Sequence, residues 1–321
     1  MTAERTVRVA VVGVGHLGRH HARVAAALPG VSLVGVHDHH DGRAEIVARQ
    51  HGLKVLPGPG DVAEAAEAVI VATPTSTHAE LGRFFLESGC DVLLEKPIAS
   101  TVPEAAALVS LARQKRRVLA VGHVERYNPA VEAAMEQAGA PLLIEAQRLG
   151  PFTARGLDVD VVLDLMIHDL QIAAALVGRP VREVRAVGLR VVTGRLDVAN
   201  ARILFEGGCI ANLTASRVSD ARLRRLRIFS PDASLSVDMD ARSATVSRVS
   251  RDGGRPEIQT TALQIADEEP LAREVRDFVR AVRERSDTLV PGEVGRDALA
   301  LAQRVTETIA AQERDSNEEA C

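Results

Sequence analysis

The glycines of Gly13-Val14-Gly15-His16-Leu17-Gly18 constrain this chain more than any other feature, because they stand between the apolar run Val7 to Val12 and a helical pattern from His16 to Leu28. An apolar run of that length and composition reads as a buried parallel strand, so the glycines fall where strand turns into helix. In that setting Gly13 allows the tight turn, Gly15 lets the backbone approach a pyrophosphate, and Gly18 lets helix and strand pack closely. The helix N-terminus then presents amide donors to the phosphates. The glycines alone would also suit an ordinary strand-to-helix turn. The next apolar run, Val31 to Val36, leads to Asp38, 20 residues beyond Gly18, where a carboxylate would bind the adenosine ribose hydroxyls. Its charge repels a 2′-phosphate and no Arg or Lys follows until Arg43, so NAD is expected rather than NADP. The other reading of Asp38 is a cap for a helical segment starting near Asp41.

Strand-like and helix-like segments alternate up to residue 123, with strands expected at Thr6 to Val12, Val31 to Val36, Ala68 to Ala72, Asp91 to Leu94 and Val118 to Val121. That order is an α/β Rossmann domain, a doubly wound parallel sheet. From residue 124 to 321 the rhythm changes. After a helical stretch from Asn128 to Ala138 come apolar runs at Leu142 to Arg148, Val181 to Val192, Ala199 to Glu206, Cys209 to Ser216, Leu223 to Phe229 and Ser234 to Asp238. Runs of strands after an alternating half imply a second, α+β domain with an open, largely antiparallel sheet, to which the resemblance described below gives substrate binding and oligomerisation. The helical patterns Ala272 to Arg285 and Val294 to Arg314 are expected to pack back on the first domain. With 321 residues and 46% apolar content, the chain can bury a core in each half.

Composition narrows the function classes. No segment approaches an uninterrupted apolar membrane span, and the start Met1-Thr2-Ala3-Glu4-Arg5 is too polar for a secretory signal, so a cytoplasmic protein is expected. Cys90, Cys209 and Cys321 are too few and too scattered for a disulfide framework or a zinc site, and a net charge of −4 gives no reason to expect nucleic acid. Two histidine groups, His37-Asp38-His39-His40 and His16 with His20, lie on the dinucleotide fingerprint, and neither joins a third ligand at recognisable spacing. No metal is expected.

Two further patterns carry chemistry. Glu95-Lys96-Pro97 directly follows the run Asp91 to Leu94, and Asp164 and His168 stand four residues apart in a helical segment from Val159 to Val177. That spacing puts the two side chains on one face. Oxidising an alcohol without a metal needs a group that takes the hydroxyl proton as the hydride leaves, and a histidine suits that work near neutral pH. Asp164 would orient His168 or accept a substrate hydroxyl. The competing readings are a core histidine with its partner, and a strand end closed by a turn at Glu95-Lys96-Pro97.

The glycine fingerprint, Val71-Ala72-Thr73-Pro74-Thr75-Ser76-Thr77-His78, Glu95-Lys96-Pro97 and Asp164-x-x-x-His168 together resemble the Gfo/Idh/MocA oxidoreductases over essentially the whole chain. Within that family, three stretches resemble the bacterial UDP-N-acetylglucosamine 3-dehydrogenases that supply a 3-amino sugar for lipid A. They are Gly122-His123-Val124-Glu125-Arg126-Tyr127-Asn128-Pro129, Asp160 to Asp169, and Ala211 to Arg217. Asp158-Val159-Asp160-Val161-Val162 stands where many members carry a glycine-rich approach, a departure shared with the 3-dehydrogenases that speaks against simple sugar or inositol substrates.

The resemblance implies oxidation by NAD of the C3 hydroxyl of UDP-N-acetylglucosamine, with a pyridoxal-phosphate aminotransferase using the ketone. The same fold acting on another sugar, an inositol or another nucleotide sugar is the nearest rival; a non-catalytic NAD-sensing module is a rival of another class. His168 or Lys96 would take the proton, and which of them does is left open. The resemblance assigns Gly13, Gly15, His16, Leu17, Gly18, Asp38, Thr73, Pro74, Thr75, His78, Glu95, Lys96 and His123 to the cofactor. His78 also suits a helix start and His123 plain strand-end packing. It assigns Lys96, Arg126, Tyr127, Asn128, Arg155, Asp164 and His168 to the substrate. The bond before Pro97 is expected to be cis. Arg148, Arg155, Arg217, Arg222, Arg224, Arg225 and Arg227 are available to a diphosphate, with Arg155 the best placed and 222 to 227 reading better as a solvated or subunit-facing surface. A homodimer or homotetramer is implied as well.

Overall fold

A computed structural model of the protein describes residues 5–153, 159–250 and 256–319. Its chain divides into two compact units, one of residues 1–124 and 268–299, the other of 125–267 and 300–321. No helix among the described residues is long and apolar enough to cross a membrane.

The first unit holds six strands, β1 (Val7–Val12), β2 (Val31–His37), β3 (Lys54–Val55), β4 (Ala68–Val71), β5 (Asp91–Glu95) and β6 (Leu119–Gly122), alternating with helices. The helices are α1 (Gly18–Ala27), α2 (Asp41–His51), α3 (Pro59–Ala65), α4 (His78–Glu87) and α5 (Val102–Lys115). The strands run parallel in the order β3-β2-β1-β4-β5-β6, so this half is the doubly wound sheet read from the sequence. Every residue of β4 and β5 is buried, as strands covered on both faces must be. Chain order reverses between β1 and β4, and in such sheets the ligand crevice opens at the carboxyl ends of the strands flanking that point. The Thr101–Glu104 capping box and Pro103 fix where α5 begins.

The second unit opens with α6 (Pro129–Gln137) and β7 (Leu143–Leu149), followed by α7 (Ile167–Val177) and strands β8 (Val181–Leu189), β9 (Val198–Phe205), β10 (Ile210–Ser216), β11 (Leu223–Phe229), β12 (Ser234–Asp238), β13 (Ser243–Ser250) and β14 (Glu257–Ala262). The sheet order is β14-β13-β12-β11-β7-β10-β9-β8, antiparallel except where β7 and β10 run parallel. It is one-sided. Ile144, Ala146, Ala211, Leu213 and Ala215 are buried, whereas Glu145, Gln147, Asn212, Thr214, Arg225 and Arg227 border a polar groove on the other face. Two helices close the chain, α8 (Pro270–Glu284) and α9 (Gly292–Glu319). Val275, Phe278, Val279 and Val282 of α8 join Val7, Val9 and Val11 in one apolar core of the first unit.

Three differences from the sequence reading have local causes. β8 stops at Leu189 instead of running to Val192, because the amides of Val191, Val192 and Thr193 turn to the Asp197 carboxylate at 2.7 to 2.8 Å. β13 and β14 extend the sheet beyond Asp238; β14 is exposed along its whole length and so lacks an apolar alternation. The segment before α7 is a π-helical turn, Val162–Met166, and not continuous α-helix.

Candidate active site

The glycine fingerprint is held by sterics. Gly13 has φ 81°, and a side chain there would press against the Ala72 backbone at 2.8 Å. A Cβ on Gly18 would lie 1.7 Å from the Gly13 carbonyl oxygen, so only glycine lets α1 start against this turn. At Gly15 a Cβ would meet no heavy atom within 4 Å, which leaves open space in front of the turn. His16 and Leu17 are exposed beside it. Asp38, 6% exposed, accepts a hydrogen bond from the Val14 amide at 2.8 Å through Oδ2 and from the His40 amide at 2.9 Å through Oδ1. Its carboxylate thus ties the end of β2 to the fingerprint turn and has lone pairs left for further donors. α2 begins after His40 with no side-chain cap, so Asp38 is not the cap of that helix.

A second loop follows β4. Thr77 donates through Oγ1 to Thr73 Oγ1 at 2.7 Å and lies 2.8 Å from the Pro74 carbonyl oxygen; Pro74 is exposed and Thr75 half-buried. His78, 1% exposed at the start of α4, places its ring nitrogens 2.9 Å from the Thr73 carbonyl and 2.7 Å from the Pro97 carbonyl. One buried imidazole therefore links this loop to the Glu95-Lys96-Pro97 segment, whose Lys96–Pro97 bond is cis.

Glu95 ends β5 and is 6% exposed. It meets His21 Nε2 of α1 at 2.7 Å through Oε1 and accepts the Lys96 amide at 3.1 Å through Oε2. Burial opposes its charge, but the hydrogen bond and charge of His21, with the attraction of Lys96, hold its carboxyl below the usual range. Lys96 is half-buried. His123, 1% exposed beyond β6, is pushed down to about 3 by burial and by the charge of Lys96, so it is a neutral imidazole at physiological pH.

In the second unit, Asp160 Oδ1 accepts from the amides of Val162 and Leu163 at 2.9 and 3.0 Å and so starts the helical segment. Asp164 lies half-buried within the π turn, and His168 stands four residues on, in the first turn of α7, 8% exposed. The next residue, Asp169, receives both arms of Arg148, at 3.0 Å from Nε and 2.8 Å from Nη2. Arg148 also donates to Glu125 at 2.8 Å, and Arg224 meets the same Glu125 oxygen at 2.8 Å. Arg148 is 2% exposed, with its proton affinity raised by Asp169 and Glu125 against the cost of burial. The sequence alone leaves Arg148 available to a diphosphate; the structure corrects this, because its guanidinium is spent inside the fold. Arg217 donates to the Val159 carbonyl at 2.9 Å, Arg222 forks onto Asp240, and Arg227 faces Glu145. Asn128, 1% exposed, caps α6 and donates to Glu125 and the Met239 carbonyl, while Tyr127 is buried and Arg126 half-buried. Arg155, Asp158 and Cys321 lie outside the described residues.

Residues 7–123 match the model of an oxidoreductase family with an NAD-binding Rossmann fold, Gfo/Idh/MocA, and residues 130–236 match that family's C-terminal domain. UDP-N-acetylglucosamine 3-dehydrogenase of Acidithiobacillus ferrooxidans is 38% identical over 304 residues, 93% of this chain and 96% of that protein. The chain belongs to the Gfo/Idh/MocA oxidoreductase family. The solved structure of the same Acidithiobacillus protein superposes with a TM-score of 0.90 over 95% of this chain and 98% of that one. The scyllo-inositol 2-dehydrogenase (NAD(+)) of Bacillus subtilis is 33% identical over 67% of this chain and 69% of its own length. Levoglucosan dehydrogenase, in complex with NADH and levoglucosan, shares the fold at 20% identity, with a TM-score of 0.86 over 96% of this chain and 98% of that one.

The first unit of this Gfo/Idh/MocA oxidoreductase is thus an NAD-binding domain. Two of its buried groups carry no motif and were not singled out from the sequence, His21 and Glu274. A readable signal existed for the second: Glu274 sits on the apolar stripe of α8, four residues before Phe278. Arg148 has a similar signature, occupying the inward phase of β7 with Ile144 and Ala146.

Proposed function

We propose that this Gfo/Idh/MocA oxidoreductase is an NAD-dependent dehydrogenase that oxidises the C3 hydroxyl of UDP-N-acetylglucosamine to the 3-keto nucleotide sugar. The observation that carries the reading is the likeness to the Acidithiobacillus 3-dehydrogenase, which runs through both units and nearly the full length of each chain. The open space before Gly15, the carboxylate of Asp38 and the loop Thr73 to Thr75 support the cofactor assignment, and Asp38 favours NAD over NADP by repelling a 2′-phosphate. Bound NAD supplies the hydride acceptor.

The chain's own residues supply the rest. Lys96, at the end of a strand and fixed by Glu95 through its amide, hydrogen-bonds the reacting oxygen and stabilises the negative charge developing there. His168 receives the hydroxyl proton directly or through water, with Asp164 orienting the substrate or the imidazole. Arg126, Tyr127 and Arg155 are assigned to substrate binding. His78 and His123, both buried, serve as supports of the cofactor loops. The protein works in the cytoplasm as a homodimer or homotetramer, coupled to a pyridoxal-phosphate aminotransferase in making a lipid A amino sugar.

A second reading, oxidation of an inositol or a free sugar, is favoured by the likeness to scyllo-inositol 2-dehydrogenase over two thirds of the chain. NADH formation by purified protein separates the two, with UDP-N-acetylglucosamine, UDP-glucose, free N-acetylglucosamine and myo-inositol as substrates and a coupled aminotransferase to pull the ketone. The proposal expects turnover of the UDP-amino sugar alone, lowered about 10²- to 10⁴-fold in Lys96→Ala and in His168→Ala. Turnover of myo-inositol in its place overturns the substrate assignment.

A further inference from the structure

Three buried side chains of the first unit converge on the start of the Glu95-Lys96-Pro97 segment, and two of them, His21 and Glu274, take no part in the mechanism above. His21 of α1, Glu95 of β5 and Glu274 of α8 are 0%, 6% and 1% exposed, and one nitrogen or oxygen from each lies within 4.8 Å of the other two. Glu95 is anchored, to His21 through one oxygen and to the Lys96 amide through the other. Its carboxyl group fills the space that a side chain at residue 122 would take, 3.0 Å from where a Gly122 Cβ would stand. Glu274 is different. Neither of its oxygens has a hydrogen-bond partner among the described residues, and its helix neighbours Val275, Phe278 and Val279 belong to the apolar core.

An ionised carboxylate in that position would have no donor, in an apolar shell, against the negative charge of Glu95. Leaving a buried charge unpaired costs more than binding a proton. A cation shared by the three groups is the other way to balance the charge. However, the atoms around a tetrahedral ion at about 2.0 to 2.1 Å stand roughly 3.3 Å apart, whereas His21 Nε2 and Glu95 Oε1 are separated by 2.7 Å, the length of a hydrogen bond with a proton between them.

We infer that Glu274 is a positioning residue that carries a proton at neutral pH and so leaves Glu95 as the single negative charge beside Lys96. The inference rests on the reading that Lys96 touches the reacting hydroxyl. The charged and titratable groups around Glu274 are His21 on α1, Glu95 at the end of β5 with Lys96 next to it, and Asp277 on its own helix. Burial, Glu95 and Asp277 all favour the protonated form of Glu274. A second carboxylate charge would add to the negative field around Lys96 and the reacting oxygen; the proton on Glu274 prevents that.

Infrared spectroscopy of the NAD-loaded protein, with and without ¹³C-glutamate, tests the inference directly. Wild type at pH 7 is expected to show the carbonyl band of a protonated carboxylic acid that shifts with the label and is absent from Glu274→Gln. In Glu95→Gln the same band titrates away at a lower pH, because the neighbouring charge is gone; this arm keeps Glu274 intact and holds even if Glu274→Gln does not fold. In turnover, Glu274→Gln keeps the limbs of the kcat/KM pH profile where wild type has them, whatever its height, since one neutral group replaces another. A profile limb moved acidward, a band that survives Glu274→Gln, a band indifferent to Glu95→Gln, or one equivalent of tightly bound metal each overturns the inference. The infrared arms need no substrate, so an error in the substrate assignment leaves them unchanged.

Discussion

Replacing Arg148 with Met keeps most of the side-chain volume and removes three charge-assisted hydrogen bonds, two to Asp169 and one to Glu125. Glu125 retains Arg224 at 2.8 Å and the Asn128 amide at 3.2 Å, so its loss is partial. Asp169, 3% exposed, loses the fork that holds both of its oxygens. Counting each bond at about 1.5 to 3 kcal/mol overstates the effect, because the three act as one unit. Breaking a buried pair from one side costs about 3 to 5 kcal/mol, and that is the destabilisation expected of Arg148→Met in urea at neutral pH. Arg148→Lys retains the charge but cannot fork, so it should fall between Met and wild type. Asp169→Asn in the Arg148→Met background should restore part of the loss, since no uncompensated carboxylate remains. The pH dependence follows from Glu125, whose carboxyl Arg148 and Arg224 together hold below its usual range against burial. Its contribution is complete above the ordinary carboxylate value and is lost as pH falls through the depressed one, so wild type and Arg148→Met converge in acid. A loss below about 1 kcal/mol, or strict additivity with Asp169→Asn, would refute the reasoning.

Three further outcomes follow from the first unit. Gly18→Ala drives a methyl group to 1.7 Å from the Gly13 oxygen, so the turn must open; NAD affinity should fall at least about tenfold and stability by about 1 to 3 kcal/mol, read by nucleotide titration and melting. Asp38→Ala removes a charged acceptor from the ribose position and frees the Val14 amide; NADH affinity should drop about 10- to 100-fold, and an unchanged Kd would exclude Asp38 from the site. His123 stays neutral in the fold down to about 3 while the unfolded chain takes up a proton from about 6.5. Stability is therefore complete above the ordinary histidine value and declines as pH falls, by about 2 kcal/mol at pH 5, and His123→Gln should flatten that decline in urea titrations from pH 7 to 5.

The dinucleotide-binding half was readable because hard sterics write themselves into the chain: only glycine tolerates the 1.7 Å approach at residue 18, and buried parallel strands such as β4 must be apolar throughout. The second sheet was readable where one face is buried, as in β9 and β10, and unreadable at its rim. β14 packs no residue into a core, and the two residues of β3 are too short for any period. The parallel pairing of β7 with β10 joins segments more than sixty residues apart, and no local pattern encodes it. In the candidate site, motifs picked out Glu95, whereas the groups packed around it arrive from distant elements. His21 and Glu274 meet Glu95 only because α1 and α8 cover the same sheet. Arg148 looked like a phosphate ligand because composition shows a charge but not its partner.

The π turn at Val162–Met166 fits one more residue into its ring than an α-helical turn does. Deleting a residue there would let regular α-helix form with the face of everything beyond it nearly unchanged, because five residues of a π turn and four of an α turn each advance by a little over one full circle. His168 would keep its face, and Asp169 would still reach Arg148. The turn is thus a place where this helix can gain or lose a residue without re-aiming its buried ion pair, and among homologues a gap of one residue there should be tolerated more readily than one further along α7.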